Sequence, residues 1–194
     1  MSNPLAILAG PPGVLRGAIE EQLTNAGFEI RTLAGGPRRQ MKEEADLFTR
    51  EFGAPALLVT LPDSHDAAPF GELARGRWER LLREHLGLTV DACAAVVPHM
   101  VSARRGTVVT TVSWLALAGL AGESYMAAAS GSIIAFTKSF ALEVAKQGVR
   151  VNAIAVGRLG QQVHPIDVAK TILFLQRDGD FFVGQLLRAT AGAV

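Results

Sequence analysis

Apolar positions along this chain follow two registers. Short, nearly continuous apolar runs occur at Leu5–Gly10, Phe28–Leu33, Ala56–Leu61, Thr107–Val112, Val149–Ala155 and Gln185–Thr190. Between them lie longer stretches in which apolar residues recur every three or four positions: Arg16–Ala26, Arg39–Phe52, Trp78–Arg104, Met126–Gln147 and Ile166–Arg177. Short apolar runs bounded by glycine or proline read as buried parallel strands, and the longer stretches as helices. Strand and helix alternate throughout, which predicts an α/β fold: a doubly wound parallel sheet of about six strands with helices on both faces. The ligand crevice of such a sheet lies at the carboxyl ends of its strands, here Gly10, Leu61, Val112 and Ala155.

Composition narrows the function. With 194 residues and 49% hydrophobic content, residues 1–194 are expected to form a single domain around one sheet. A net charge of +1 supplies no basic face, so no nucleic-acid partner is expected. The single cysteine, Cys93, sits in an apolar helical stretch and reads as a small buried hydrophobe, consistent with a reducing compartment. His65, His99 and His164 lack metal-ligand spacing, so no metal site is expected. No apolar run reaches the ~18 residues needed to cross a bilayer, and no basic-then-apolar leader is visible. A cytoplasmic protein without membrane partners is expected.

The segment GTVVTTVS…SYMAAASGSIIAFTKSFALEVAKQGVRVNAIAVG, Gly106 to Gly157, resembles the catalytic segment of the short-chain dehydrogenase/reductase family. The resemblance extends to WERLLREHLG…PHM, to HPIDVAKTILFL and to the terminal VGQLLRATAG, and so covers nearly the whole chain. It implies a Rossmann-like fold, NAD(P) as cofactor and alcohol–ketone oxidoreduction. The family uses a serine to polarise the carbonyl, a tyrosine as acid/base, a lysine that lowers the tyrosine pKa, and an asparagine in a water relay. Counting without a gap, Ser113 falls at the serine position, but Met126 falls at the tyrosine, Ser130 at the lysine and His85 at the asparagine. Tyr125 is one residue early, a rotation of ~100° on a helix, and four residues after it stands Ala129. Lys138 reads as a solvated lysine.

The loop LAGPPGVLRG resembles the family's glycine-rich phosphate loop. Gly10 matches, and Gly13 offers a second register. Val14 and Arg16 stand where glycines would let the backbone approach a pyrophosphate, and Pro11 and Pro12 remove two N–H donors. The expected consequence is a strand-to-helix turn without a nucleotide; the alternative is an Arg16 that clamps another anion. No acidic residue follows Phe28–Leu33 to hold a ribose, in Thr32-Leu33-Ala34; Arg38 and Arg39 are a further, weaker 2′-phosphate candidate. Against the family, one strand–helix unit is missing before Ala56–Leu61, and the substrate lid is missing between Gly157 and Pro165.

Together these departures predict a catalytically silent subunit that binds no cofactor itself. It would serve as structural or regulatory partner of an active NAD(P)-dependent dehydrogenase or reductase, possibly one acting on acyl-CoA-type substrates. The contact surfaces would be the Trp78–Arg104 and Met126–Gln147 helices and the C-terminal helix and strand. Met126–Gln147 is apolar around much of its girth (Ile133, Ile134, Phe136, Phe140, Val144), so it is either sandwiched in a core or covered by a partner. Two other readings stay open: a stand-alone ligand-binding protein, or a diverged enzyme using Ser113, His85 and Tyr125, with Asp63 to orient the histidine.

Overall fold

The computed structural model describes residues 3–190 except Ala34 and Leu73. Ala34 of the ribose-position reading and residues 191–194 of the terminal stretch lie outside the described residues.

Six parallel strands form one sheet: β1 (Leu5–Ala9), β2 (Glu29–Leu33), β3 (Leu57–Thr60), β4 (Gly106–Ser113), β5 (Val149–Val156) and β6 (Leu186–Ala189), in the order β2-β1-β3-β4-β5-β6. The chain steps outward from β1 to β2 and then crosses back to β3, so the topological switch lies between β1 and β3. Only one helix separates β2 from β3, and β2 is an edge strand. The predicted architecture is therefore present, including the missing strand–helix unit.

Period-two alternation divides each strand between two cores. Leu5, Ile7 and Ala9 pack on one face with Met41, Ala45, Val96, Met100, Ala141 and Val144. These come from α2 (Arg38–Phe52), α4 (Leu88–Ser102) and α6 (Ser124–Val144). Ala6 and Leu8 pack on the other face with Ile19, Leu23, Val168 and Ile172, from α1 (Val14–Asn25) and α7 (Pro165–Arg177). Cys93 is buried in the first core, where desolvation pushes its thiol up to about 12 and keeps it protonated.

Two polar anchors fix the C-terminal unit to the sheet. The fully buried Asn152 donates to the Phe182 carbonyl at 2.8 Å and accepts from the Gln185 N–H at 2.9 Å, which sets β6 beside β5. Arg150 donates to the carbonyls of Leu175, Gln176 and Gly179, capping the end of α7 with positive charge.

Three features depart from the sequence expectation. The helix predicted over Trp78–Arg104 is α3 (Arg75–Leu82), then a π-helical turn at Arg83–Gly87, then α4. A short helix α5 (Leu115–Ala118) follows β4, and the helix predicted over Met126–Gln147 ends in a 3₁₀ turn at Ala145–Gln147. Much of the apolar girth of α6 is absorbed within the chain: Ile133 and Val144 are buried, and Ile134, Phe136 and Phe140 pack half-buried against the cores. What α6 leaves outward is small (Ser124, Ala128, Ala135, Ser139) or charged (Lys138, Glu143), plus an exposed Leu142.

The β1–β3 switch rests on Gly10. Its φ is +140°, and a Cβ there would lie 2.2 Å from the Leu61 carbonyl oxygen. Gly17, inside α1, would meet nothing within 4 Å. Gly10→Ala should therefore destabilise the fold by about 2 kcal/mol or more. Gly17→Ala should stabilise it by roughly 0.5–1 kcal/mol through helix propensity. Urea denaturation of the two variants beside the parent chain measures both signs.

Candidate functional site

At the carboxyl ends of the strands the β1–α1, β3–α3 and β4–α5 loops enclose a crevice of about 420 Å³, bordered also by Val156–Leu159. Gly13, Val14, Arg16, Asp63, His85, Ser113 and Met126 line it; Gly10, Ser130 and Tyr125 do not.

The loop that resembles the family's phosphate loop is closed by its own side chain. The Arg16 guanidinium, 16% exposed, donates from Nη1 to the Gly10 carbonyl (2.9 Å), from Nη2 to Thr32 Oγ1 (2.7 Å) and from Nε to Glu20 Oε1 (2.7 Å). Gly10 and Thr32 stand at the ends of β1 and β2, so one arginine bridges the strand ends across which a dinucleotide would lie. Each of these nitrogens already has an internal acceptor, which argues against the anion-clamp alternative. Asp63 lies close by: a Cβ on Gly13 would sit 3.2 Å from its Oδ2. A carboxylate beside the loop disfavours a phosphate. The Arg38 guanidinium pairs with Asp91, and Arg39 with Glu43 on its own helix.

Around Ser113 the ungapped register holds. Ser130 is fully buried on α6, and its Oγ accepts the Ser113 N–H at 3.3 Å. The lysine position thus does face the serine, carrying a hydroxyl. Met126 lines the crevice at 4% exposure, packed with Leu81 and Leu115. Tyr125 is turned out of it and stacks on Phe70 with centroids 6.2 Å apart. Ser113 Oγ accepts the Leu115 N–H at 3.3 Å, a turn that starts α5. Lys138 is exposed on the outer side of α6, as expected. Between β5 and α7 only residues 157–164 intervene, folded on themselves by a Leu159–Val163 bridge.

His85 occupies the middle of the π turn, an arrangement no periodicity reveals because it inserts a residue into a helix that otherwise reads continuously. The turn carries the ring, 3% exposed, to the β3–α3 loop, where Nε2 lies 2.7 Å from the Ser64 carbonyl. A carbonyl only accepts, so Nε2 carries the proton and the neutral ring keeps a lone pair on Nδ1. Burial pushes the His85 pKa below its ordinary value. No hydrogen bond joins Ser113, His85 and Asp63 among the described residues, so the three share a crevice without forming a relay.

The β3–α3 loop itself is latched down, which the sequence did not signal. His65 Nε2 lies 3.0 Å from Glu123 Oε1, and the Ala68 N–H donates to the Gly122 carbonyl at 3.0 Å. Asp66 is gripped by Arg77 and Arg80, and the Arg77 hydrogen bond holds its carboxyl below the usual range.

Because the folded chain keeps His85 neutral, the unfolded chain takes up that proton first as pH falls. The stability involved is complete above the ordinary histidine value of 6.5 and is lost as pH drops below it, until the folded ring itself protonates. Thermal melts should therefore shift downward between about pH 7 and about pH 5. His85→Asn should flatten that portion of the profile; an unchanged slope would separate it from His85.

Comparison with known proteins is consistent with this geometry. The sequence profile described as short chain dehydrogenase matches residues 19–164, most of the chain. A 3-oxoacyl-[acyl-carrier-protein] reductase of Chlamydia trachomatis is 30% identical over 143 residues, 62% of this chain and 58% of that protein. The chain thus spans little more than half of that reductase. A (2S)-[(R)-hydroxy(phenyl)methyl]succinyl-CoA dehydrogenase subunit of Thauera aromatica is 28% identical over 166 residues, 73% of this chain and 66% of that one. The solved structure of ElxO with NADP bound superposes with a TM-score of 0.90 at 17% identity, covering 98% of each chain, which speaks to the fold. The chain belongs to the short-chain dehydrogenase family.

Proposed function

We propose that this chain is a non-catalytic member of its family, acting as the structural or regulatory partner of an active NAD(P)-dependent dehydrogenase or reductase in a hetero-oligomer. The observation that carries this reading is the pair Met126 and Ser130. A thioether and a buried hydroxyl stand where a proton-donating phenol and a cation would be needed, and neither titrates near neutral pH. Ser130 spends its acceptor on the Ser113 backbone, so it supports the fold at that point.

The residues of the β1–α1 loop do not fit a dinucleotide. Arg16 fills the strand-end cradle, Pro11 and Pro12 lack the N–H groups that would hold phosphates, and Asp63 opposes their charge. On this reading the NAD(P) and the hydroxy/keto chemistry, possibly on acyl-CoA-type substrates, belong to the partner subunit.

Two surfaces support assembly. The outward side of α6, with Ala128, Ala135 and Ser139, allows close approach of another helix, and Leu142 is 75% exposed at its end. Beside the edge strand β6, Phe174 and Phe181 are 42% and 96% exposed. The Thauera relative is itself named as a subunit of a dehydrogenase acting on a CoA thioester, which supports a role within a heteromer.

Co-expression with a complete family member encoded nearby, followed by mass determination and NAD(P)H titration, tests the proposal. The expected result is a mixed oligomer whose bound nucleotide counts only the partner chains. Ala135→Arg should dissociate that oligomer while leaving the circular dichroism of this chain unchanged. A homo-oligomer binding about one NAD(P)H per chain would overturn the reading.

A further inference from the structure

The β2 strand is an open edge of the sheet: among the described residues β1 is its one neighbouring strand. Its backbone groups alternate in direction. The Glu29 N–H donates to the Pro4 carbonyl at 3.0 Å, so Glu29, Arg31 and Leu33 turn their N–H and C=O groups toward β1. Ile30 and Thr32 turn theirs outward, where no strand meets them. Such a row of unpaired backbone groups is a template for another strand.

One side chain lies over that edge. The Arg31 guanidinium donates from Nη1 to the outward Ile30 carbonyl at 2.8 Å and to the Glu29 carboxylate. Its Cζ lies 4.0 Å from the centre of the Phe52 ring, which holds the arm down. Arg31 is also the middle residue of the five in β2. When two identical strands pair antiparallel with full overlap, the middle residue meets its own copy on the two-fold axis. Ile30 and Thr32 of one copy then face Thr32 and Ile30 of the other as hydrogen-bonded pairs. Residue 31 falls in a non-hydrogen-bonded pair, where side chains stand closest, and there two guanidinium groups oppose each other. Arg31 thus blocks the pairing twice, by occupying an acceptor and by repulsion on the axis.

We propose that β2 is a pairing surface for the β2 strand of a second copy of this chain, held shut by Arg31. With the arginine in place the edge stays single, and association is confined to the other surfaces of the molecule. With a small β-branched residue there, the axis carries a favourable cross-strand pair and the Ile30 carbonyl is free to accept. Two six-stranded sheets then become continuous through β2. This edge lies at the opposite end of the sheet from β6, and α6 packs on β4 and β5. The guard therefore stands or falls independently of the heteromer reading.

Amide hydrogen exchange followed by NMR on this chain alone, with light-scattering masses over a concentration series, tests the guard. In the parent chain the Ile30 and Thr32 amides should exchange freely while those of Glu29, Arg31 and Leu33 are protected. Arg31→Thr should double the mass over that of the parent chain as concentration rises, and slow exchange at Ile30 and Thr32 by at least about tenfold. Arg39→Thr removes an equal charge from the exposed start of α2, where the side chain pairs with Glu43, and should behave as the parent chain does. Protected Ile30 and Thr32 amides in the parent chain would overturn the proposal even if the Arg31 variant does not fold. So would an Arg31→Thr chain that keeps the parent mass, one that associates with both amides still exchanging freely, or an Arg39→Thr chain that associates equally.

Discussion

The close approach of β1 and β3 at Gly10 is the constraint on which the rest depends. Gly10 passes so near the Leu61 carbonyl that no side chain fits, and the Leu61 N–H in turn donates to the Ala9 carbonyl at 2.7 Å. Just beyond this point the β1–α1 and β3–α3 loops diverge, because α1 and α4 cover opposite faces of the sheet. The crevice is the space left by that divergence. In a protein that holds a cofactor, ligand atoms bridge the gap. Here Arg16 does so, drawing the ends of β1 and β2 together from within the chain.

A side chain that bridges two strand ends changes the energetics of the fold. Stabilisation by a bound nucleotide depends on its concentration, whereas an intramolecular bridge is permanent. Ser130 likewise binds backbone, and Met126 packs against Leu81 and Leu115. Each of these positions contributes to packing or to hydrogen-bond satisfaction.

The sheet was legible because strand runs such as Leu5–Ala9 are apolar on both faces and the helices between them keep their period. The ungapped count put Met126 at the tyrosine position, and Met126 lines the crevice; the alternative that used Tyr125 there fails, because that ring stacks on Phe70 outside it. Three things were not readable. The π turn at Arg83–Gly87 leaves helical periodicity nearly intact while redirecting one ring. The bond from Arg16 to Thr32 joins residues sixteen apart, and nothing local named the second strand. The latch of His65 on Glu123 joins residues fifty-eight apart through a loop without periodicity. Apolar girth on α6 was a weaker guide to assembly than the sequence implied, since Phe136 and Phe140 stack on each other and against the chain's own core.

These observations separate two halves of one crevice by hydrogen-bond accounting. On the β1–α1 side Arg16 meets a carbonyl, a hydroxyl and a carboxylate, and no buried polar side-chain atom of the described residues there lacks a partner. On the β3–α3 side, by contrast, Ser64 Oγ and His85 Nδ1 are buried without a partner among the described residues. Buried polar groups remain unpaired only where something else completes them or where function keeps them so. The two halves of the crevice are therefore in different states. One has been sealed by the chain's own side chains, and the other keeps an unsatisfied polar wall against an apolar cavity.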